Sequence, residues 1–335
     1  LFRIFVPEEF EGLGGGSLEL CLAVEEISRA CSAVAVSFAA CALGSYTMME
    51  YGSDELKERL LPDIAAGKRL AAFGLTESTA GSDASGVRTT AEKVDGGYVL
   101  NGTKQFITNA GEAEIYTVIA LTDKSRGPRG ASAFIVEKNT AGFTFGKKEK
   151  KLGIRASSTG ELVFKDCFVP AGNLIGKEGM GFVYTMRLLD RSRPGIGAQA
   201  VGIAQGALEA ATEYAKERVQ FGHPIFAIGV VQDMLADMAV HVEAARALVY
   251  AAARTIDGGA KNFTADSAMA KVFASDTAMK VTTDAVQVMG GAGYIRDYPV
   301  EKMMRDAKIT QIYEGSNQVL RNAIAFELRK RKAGA

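Results

Sequence analysis

Apolar residues recur at helical spacing early in the chain, at strand spacing in its middle, and at helical spacing again toward its end. After an extended start through Phe5-Val6-Pro7, the glycine run Gly12-Leu13-Gly14-Gly15-Gly16-Ser17 reads as a flexible loop with Ser17 capping the next helix. It follows no clear strand and lacks the spacing of a dinucleotide loop. Leu20, Val24 and Ile27 lie on one face of a first helix. A second, built of small residues, covers 33–51, and Gly52-Ser53-Asp54 restarts a third that ends near Gly67.

From about residue 70 the period changes. Asp95-Gly96-Gly97 separates the strand runs 89–94 and 98–100 as a hairpin turn would. Residues 115–121 and 133–136 read as buried strands, and Leu162-Val163-Phe164 ends the series before Pro170. With no helices between them, these strands predict an antiparallel β domain, barrel-like or a sandwich, and disfavour a Rossmann fold. After Gly181 the helical period returns in Val201, Ala204, Leu208, Ala211 and Ala215, and in Val231, Leu235, Met238, Val242, Ala245, Val249 and Ala252. Segments 264–289 and 299–312 complete a four-helix bundle whose long apolar seams are natural subunit surfaces. The expected class is α+β: an N-terminal helical domain over 1–69, a β domain over 70–177 and a helical bundle over 178–335. The chain opens at Leu1 inside a segment that reads as structured, so the helical domain is expected to be truncated.

Composition narrows the chemistry. The 335 residues hold 47% hydrophobic and 23% charged side chains, with Lys+Arg and Asp+Glu balanced at 39 each. A neutral chain gives no electrostatic case for nucleic acid or an anionic membrane. No apolar run is read as reaching the ~18–20 residues of a membrane span. Cys21, Cys31, Cys41 and Cys167 form no C-x-x-C pair and read as reduced core residues of an intracellular protein. With only two histidines, His241 in a helix and His223 in a loop, neither a Ser-His-Asp triad nor a metal site is expected. The terminal Arg329-Lys330-Arg331-Lys332 reads as a solvated tail.

One carboxylate, Glu314, sits between an aromatic residue and a glycine near the end of the sequence. In Gln311-Ile312-Tyr313-Glu314-Gly315-Ser316-Asn317-Gln318, the glycine breaks a helical pattern and places Glu314 on a bend. Ser316 or Asn317 then caps a last helix through Val319, Ile324 and Leu328. Apolar neighbours would raise the Glu314 pKa and strengthen it as a base. Read alone, the stretch also fits an ordinary solvated loop between helices.

The rest of the chain decides. Gly74-Leu75-Thr76-Glu77-Ser78-Thr79-Ala80-Gly81-Ser82-Asp83-Ala84-Ser85-Gly86 resembles the first signature of the acyl-CoA dehydrogenase family. Gln287-Val288-Met289-Gly290-Gly291-Ala292-Gly293-Tyr294, with Lys302, Arg305 and Asp306, resembles the second. Residues 311–318 resemble the loop of its short- and medium-chain, butyryl-CoA dehydrogenase-like branch. The resemblance implies an FAD enzyme that oxidises a short- or medium-chain acyl-CoA to a trans-2-enoyl-CoA and passes electrons to an electron-transfer flavoprotein. It implies that Glu314 removes the α-proton, with its backbone N–H and a flavin ribityl hydroxyl holding the thioester oxygen. In other branches the base comes from the segment reading here Leu189-Asp190-Arg191-Ser192-Arg193-Pro194, where Ser192 cannot serve.

The resemblance also implies cofactor contacts. Phe73, Leu75 and Thr76 meet the isoalloxazine rim, and Phe106, Ile107 and Thr108 line it, with Phe106 where relatives often carry tryptophan. Arg218, beside Gln220 and Phe221, meets the pyrophosphate, and Gln287, Val288, Gly290 and Gly291 the adenine end. Gln232, Ser316, Asn317 and Gln318 are further contacts, although Val231 stands where some relatives have histidine. Ser82 lies near the cofactor and the CoA chain, while Asp190, Arg193 and Gly315 surround pantetheine and thioester. Some of these contacts come from a neighbouring subunit in the family, so a homo-oligomer is implied, dimer or tetramer. No metal is. The compartment implied is cytoplasmic in a bacterium, or the mitochondrial matrix in a eukaryote. The rivals are an acyl-CoA oxidase, a glutaryl-type dehydrogenase using Arg191 or Arg193 for a second carboxylate, a DNA-binding flavoprotein and a helical scaffold without chemistry.

Overall fold

The computed structural model describes residues 1–330. Arg331 and Lys332 of the basic tail lie outside the described residues; Lys330 pairs with Glu327 at 2.6 Å. Two compact units form, each from separated stretches of chain. The first comprises 1–16, 37–150 and 156–189, and the second 17–36, 151–155 and 190–335.

Helix α1 (Ser17–Tyr51) is interrupted at Cys31, whose φ of −155° and ψ of 101° are extended. The two helices read from the sequence are the two sides of this break. The uncharged run 30–49 corrects the expectation about apolar length, for α1 is long and apolar enough to cross a membrane. Its most apolar window has a mean hydropathy of 1.6, yet 56% of it is buried in protein, as in a core helix.

In the first unit, α2 (Asp54–Ala65) starts where Ser53 accepts the Leu56 amide, an N-cap. Strands β1 (Ala71–Gly74), β2 (Thr90–Val94), β3 (Gly97–Thr108), β4 (Ile115–Leu121), β5 (Ala131–Glu137), β6 (Phe143–Lys148), β7 (Thr159–Pro170) and β8 (Leu174–Ile175) follow. They make one sheet in the order β6-β7-β3-β2-β4-β5-β8, with β1 beside β4. The pairing is antiparallel except that β4 runs parallel to β1 and, at one residue pair, to β2. The β2–β3 hairpin closes Val94 against Gly97 across Asp95-Gly96, as the turn residues predict. Strand β8 extends the series past Pro170, where the sequence reading ends it.

Alternating apolar positions put Tyr98, Leu100, Tyr116, Phe134, Phe143 and Phe164 into one core. Phe143 stacks on Phe164 at 4.9 Å and meets Tyr116 edge-on at 5.0 Å. Residues 37–51 of α1 lie on β1, and the small residues there have a geometric cause. A Cβ at Gly44 would stand 2.6 Å from the Ala72 amide nitrogen, so only glycine allows this approach.

The second unit holds most of α3 (Gly181–Glu217), a two-stranded ribbon of β9 (Val219–Gln220) and β10 (His223–Pro224), α4 (Gly229–Asp257), α5 (Thr264–Met289), α6 (Val300–Ala307) and α7 (Asn317–Lys330). His223 is therefore in a short strand, not a loop. The fourth helical segment is also shorter than the pattern predicts, because α6 gives way to a 3-10 turn at Lys308–Gln311. The start of α1 is capped from a distance. Asp257, last in α4, accepts the Ser17 and Leu18 amides at 2.7 and 2.9 Å. Among the described residues the Ser17 hydroxyl, expected to cap the helix, is buried and without a partner. The buried Glu25 is satisfied by Arg246 and Tyr250, each at 2.7 Å. All four cysteines are free, and burial pushes the Cys41 and Cys167 thiols up to about 12 and about 11, which removes thiolate chemistry at neutral pH.

Candidate active site

Shortly after the 3-10 turn that follows α6 come two consecutive residues of positive φ, Glu314 at 56° and Gly315 at 94°. Glycine accepts such a φ freely. A glutamate there stores strain of about 1–3 kcal/mol and is held only by its surroundings. Those surroundings are specific. Arg193 Nε donates to the Glu314 carbonyl at 3.3 Å, and Lys271 Nζ to the Gly315 carbonyl at 2.7 Å. On the next residues, Ser316 Oγ accepts the Val319 amide at 3.4 Å and so caps α7. Ahead of the bend, the Tyr313 hydroxyl bonds Gln199, whose amide donates to Ser32 Oγ at 2.8 Å.

The carboxylate itself takes a 2.8 Å hydrogen bond from Ser192 Oγ to Oε2. Burial raises its pKa above the ordinary carboxylate range. The Ser192 bond and the charges of Arg193 and Lys271 pull the other way without cancelling that rise. Glu314 is thus a poorly solvated carboxyl with a raised proton affinity, the profile of a general base. Among the described residues its own amide makes no hydrogen bond and remains a donor for a ligand oxygen.

Asp190 and Arg193 are tied to each other and to the fold. Their side chains form an ion pair, and Thr264 Oγ1 donates to the Asp190 carboxylate at 2.6 Å. The Asn317 side chain is used up in the same way. Its amide bonds Ser275 and Asp276 at 2.9 and 2.8 Å and its oxygen accepts Lys271 at 3.0 Å, so only its backbone faces a ligand. Gln318 is exposed on the first turn of α7.

Two side chains here escape sequence reasoning. Ser192 reads as a residue that cannot serve as base, not as the donor to Glu314. Lys271 reads as one more residue of α5, yet it is fully buried. The overlooked signal is its phase, for it stands among Ala268, Ala270, Val272 and Ala274, all buried or nearly so.

A second set belongs to the first unit. Phe73, Leu75 and Thr76 are partly buried at the end of β1. The Thr76 carbonyl accepts the Gln105 amide at 2.8 Å, and the Leu75 carbonyl accepts Lys104 Nζ at 3.1 Å. Glu77 anchors the segment: its carboxylate takes Lys104 at 2.7 Å, the Thr89 hydroxyl at 2.6 Å, and the Arg88 and Thr89 amides at 2.7 and 3.0 Å. Burial pushes the Glu77 carboxyl up, but these partners outweigh it and hold it below its usual value. Burial draws Lys104 down to about 8 against the pull of Glu77.

Strand β3 bulges where its pairing with β7 shifts between Lys104 and Ile107. Phe106 takes a left-handed φ of 58° there and leaves its ring 60% exposed, while Ile107 is buried and Thr108 partly open. Ser82 is exposed in the loop before β2.

The remaining candidates lie on the surface of the second unit. Arg218, Gln220 and Phe221 are exposed around the β9–β10 ribbon, with Phe221 91% open. Gln232 lines a groove with Leu208, Phe226 and Leu235. Gln287 is exposed, whereas the Val288 side chain is buried and can offer only backbone. Gly290 and Gly291 stand in open space that would admit a Cβ.

These groups fit a flavin dinucleotide. The first unit offers an open aromatic ring, two threonine hydroxyls and a strand end. The second offers Arg218, which makes no ion pair among the described residues and suits a diphosphate.

Three family models cover the chain: the acyl-CoA dehydrogenase N-terminal domain matches residues 1–68, the middle domain 72–167 and the C-terminal domain 179–328. The chain is 53% identical over 308 residues to the short-chain-specific acyl-CoA dehydrogenase of Megasphaera elsdenii, covering 91% of this chain and 80% of the relative. The solved butyryl-CoA dehydrogenase of the same organism superposes with a TM-score of 0.96 at 49% identity, over 98% of this chain and 87% of that one. A structure described as the electron transferring flavoprotein of Acidaminococcus fermentans contains a chain that matches with a TM-score of 0.97 at 51% identity, again over 98% and 87%.

Proposed function

The chain belongs to the acyl-CoA dehydrogenase family of FAD-dependent oxidoreductases, and from that premise we propose that it dehydrogenates a short- or medium-chain acyl-CoA with Glu314 as the base. The observation that carries this reading is the Glu314 carboxylate, desolvated, raised in pKa and bonded to Ser192 on a strained bend.

The α-proton of a thioester is weakly acidic, so its removal needs a positioned base and a donor for the developing enolate oxygen. Glu314 takes the proton on its carboxylate, and its unpaired amide donates to the thioester oxygen. Bound FAD supplies the two-electron acceptor for the hydrogen that leaves the β-carbon. Desolvation keeps water from competing for the proton, and the Ser192 bond fixes which carboxylate oxygen is free to act.

Thr76, Thr108, Phe106 and the residues of 73–76 hold the flavin ring, with Ser82 beside them. Arg218, Gln220, Phe221 and the 287–291 segment, from a second copy of the chain, hold the diphosphate and adenine. Butyryl- and short-chain-specific relatives support the substrate range. The match to a chain solved with an electron transferring flavoprotein supports such a protein as electron acceptor.

The test is anaerobic bleaching of the flavin spectrum by a ladder of acyl-CoAs, with wild type and Glu314→Gln. Four- to eight-carbon chains bleach the wild type, and the variant loses about 100-fold or more in rate. A variant that bleaches at the wild-type rate rejects Glu314 as base. Reduction of added electron-transfer flavoprotein under the same conditions checks the acceptor.

A further inference from the structure

Lys271 is the buried ionisable group of this site to which the reaction assigns nothing. It sits on α5 with no exposed surface, and its ammonium donates to the Gly315 carbonyl at 2.7 Å and to Asn317 Oδ1 at 3.0 Å. Ser275 and Asp276, on the same helix, complete the ring of partners around Asn317. A cation is costly to bury, and neutral acceptors do little to repay it. A methionine would fill the space without that penalty. Two neutral oxygens are a weak reason for a charge here, but a carboxylate base one residue before Gly315 is a strong one.

We propose that Lys271 is a positioning residue whose ammonium clamps the Gly315 carbonyl and, through space, keeps the Glu314 carboxylate from being protonated by its own burial. The proposal rests on Glu314 being the base. Two effects oppose each other on that carboxylate: desolvation favours the protonated, inactive form, and nearby positive charge favours the ionised one. Arg193 acts on the same carboxylate and more strongly, but its pairing with Asp190 offsets part of its field. Lys271 has no ion-pair partner within 4.0 Å among the described residues, so its field is not cancelled in the same way.

The charged groups that act on Lys271 come from three directions. Glu314 on the bend and Asp276 on α5 favour its charge, and Arg193 on α3 opposes it. Asp276 is itself engaged by Arg321 of α7 at 2.6 Å and by Gln311 of the 3-10 turn at 2.6 Å. Burial, the largest influence, draws the ammonium down to about 7. The clamp is therefore charged below neutrality, and Glu314, whose pKa is raised, loses its charge as pH falls.

The test is the rate of anaerobic flavin bleaching by butyryl-CoA against pH in Lys271→Met, Lys271→Arg and Glu314→Gln. Removing the ammonium moves the acid limb of the Lys271→Met profile to higher pH by about one unit, while Lys271→Arg keeps the limb near the wild-type position. A purely structural role lowers the rate equally at all pH values and leaves the limb in place, and that result overturns the proposal. If Lys271→Met does not fold, Lys271→Gln, which removes the charge but keeps an amide donor for the Gly315 carbonyl and Asn317 Oδ1, is read in the same way. Glu314→Gln separates the two ideas. Full activity in that variant rejects the base itself. An inactive Glu314→Gln beside an unmoved Lys271→Met limb rejects only the role of the lysine.

Discussion

Ser192 Oγ donates to Glu314 Oε2 across 2.8 Å, joining residues 122 positions apart in the chain. In the sequence Ser192 marks a place where other branches of the family carry their base. In the structure it donates to the Glu314 carboxylate on the other segment. The bond stabilises the ionised carboxylate and lowers a pKa that burial has raised.

Ser192→Ala removes that bond and lets the Glu314 pKa rise further. On the acid limb of its pH profile the variant bleaches about tenfold more slowly than wild type, the scale of a hydrogen bond to a charged group. The two rates converge as pH rises and Glu314 ionises in both. Stopped-flow bleaching across pH 5.5–9 measures the convergence, and a constant ratio would contradict it.

Glu314→Gln stabilises the protein at neutral pH. The folded-state pKa of Glu314 is raised, so between the unfolded value and the folded one the native state binds more protons than the unfolded chain. Wild-type stability therefore falls as pH rises through that window. The variant escapes this cost, and its urea midpoint exceeds the wild-type midpoint at pH 8. The gap narrows at pH 4, where both chains carry a neutral group. Paired urea melts at the two pH values decide it.

Glu77→Gln breaks the pair with Lys104 that anchors the end of β1. Lys104 is wholly buried and the Glu77 side chain nearly so, so one charge is left without its partner. The cost is about 3 kcal/mol of stability, with weaker FAD retention as the 75–77 segment loosens. Urea unfolding and flavin release on dilution read the two effects separately.

Gly315→Ala forces a side chain onto φ 94°, with its Cβ 2.9 Å from Leu320 Cδ2. Leucine can yield a little, but the backbone cannot become ordinary without pulling Gly315 from Lys271. The expected loss is about 1–3 kcal/mol in stability, together with a lower kcat. Thermal melting and steady-state kinetics check the pair.

The parts of this molecule legible in its sequence are those written as local periods. The seams of α4 and α5, the Asp95-Gly96 turn and the bend at Glu314 depend on neighbours a few residues away, and each forms where the pattern places it. The break in α1 is legible too, as the join between two helical runs near Cys31. What the sequence hides is satisfied from far off. The cap on α1 comes from Asp257 while the adjacent Ser17 hydroxyl goes unused. The parallel pairing of β1 with β4 is a choice among partners that no alternation of polar and apolar residues encodes. Lys271 is hidden because only its phase among Ala268 and Ala274 marks it as buried, and nothing local names the carbonyl it meets.

The cap on α1 also bears on how the polypeptide is made. Synthesis delivers Ser17 and Leu18 some 240 residues before the carboxylate that completes their hydrogen bonds, and Glu25 waits nearly as long for Arg246 and Tyr250. While the strands are being made, water takes the place of both sets of partners. The second unit completes its packing only after Arg246, Tyr250 and Asp257 have been made, so its closure is a late event in translation.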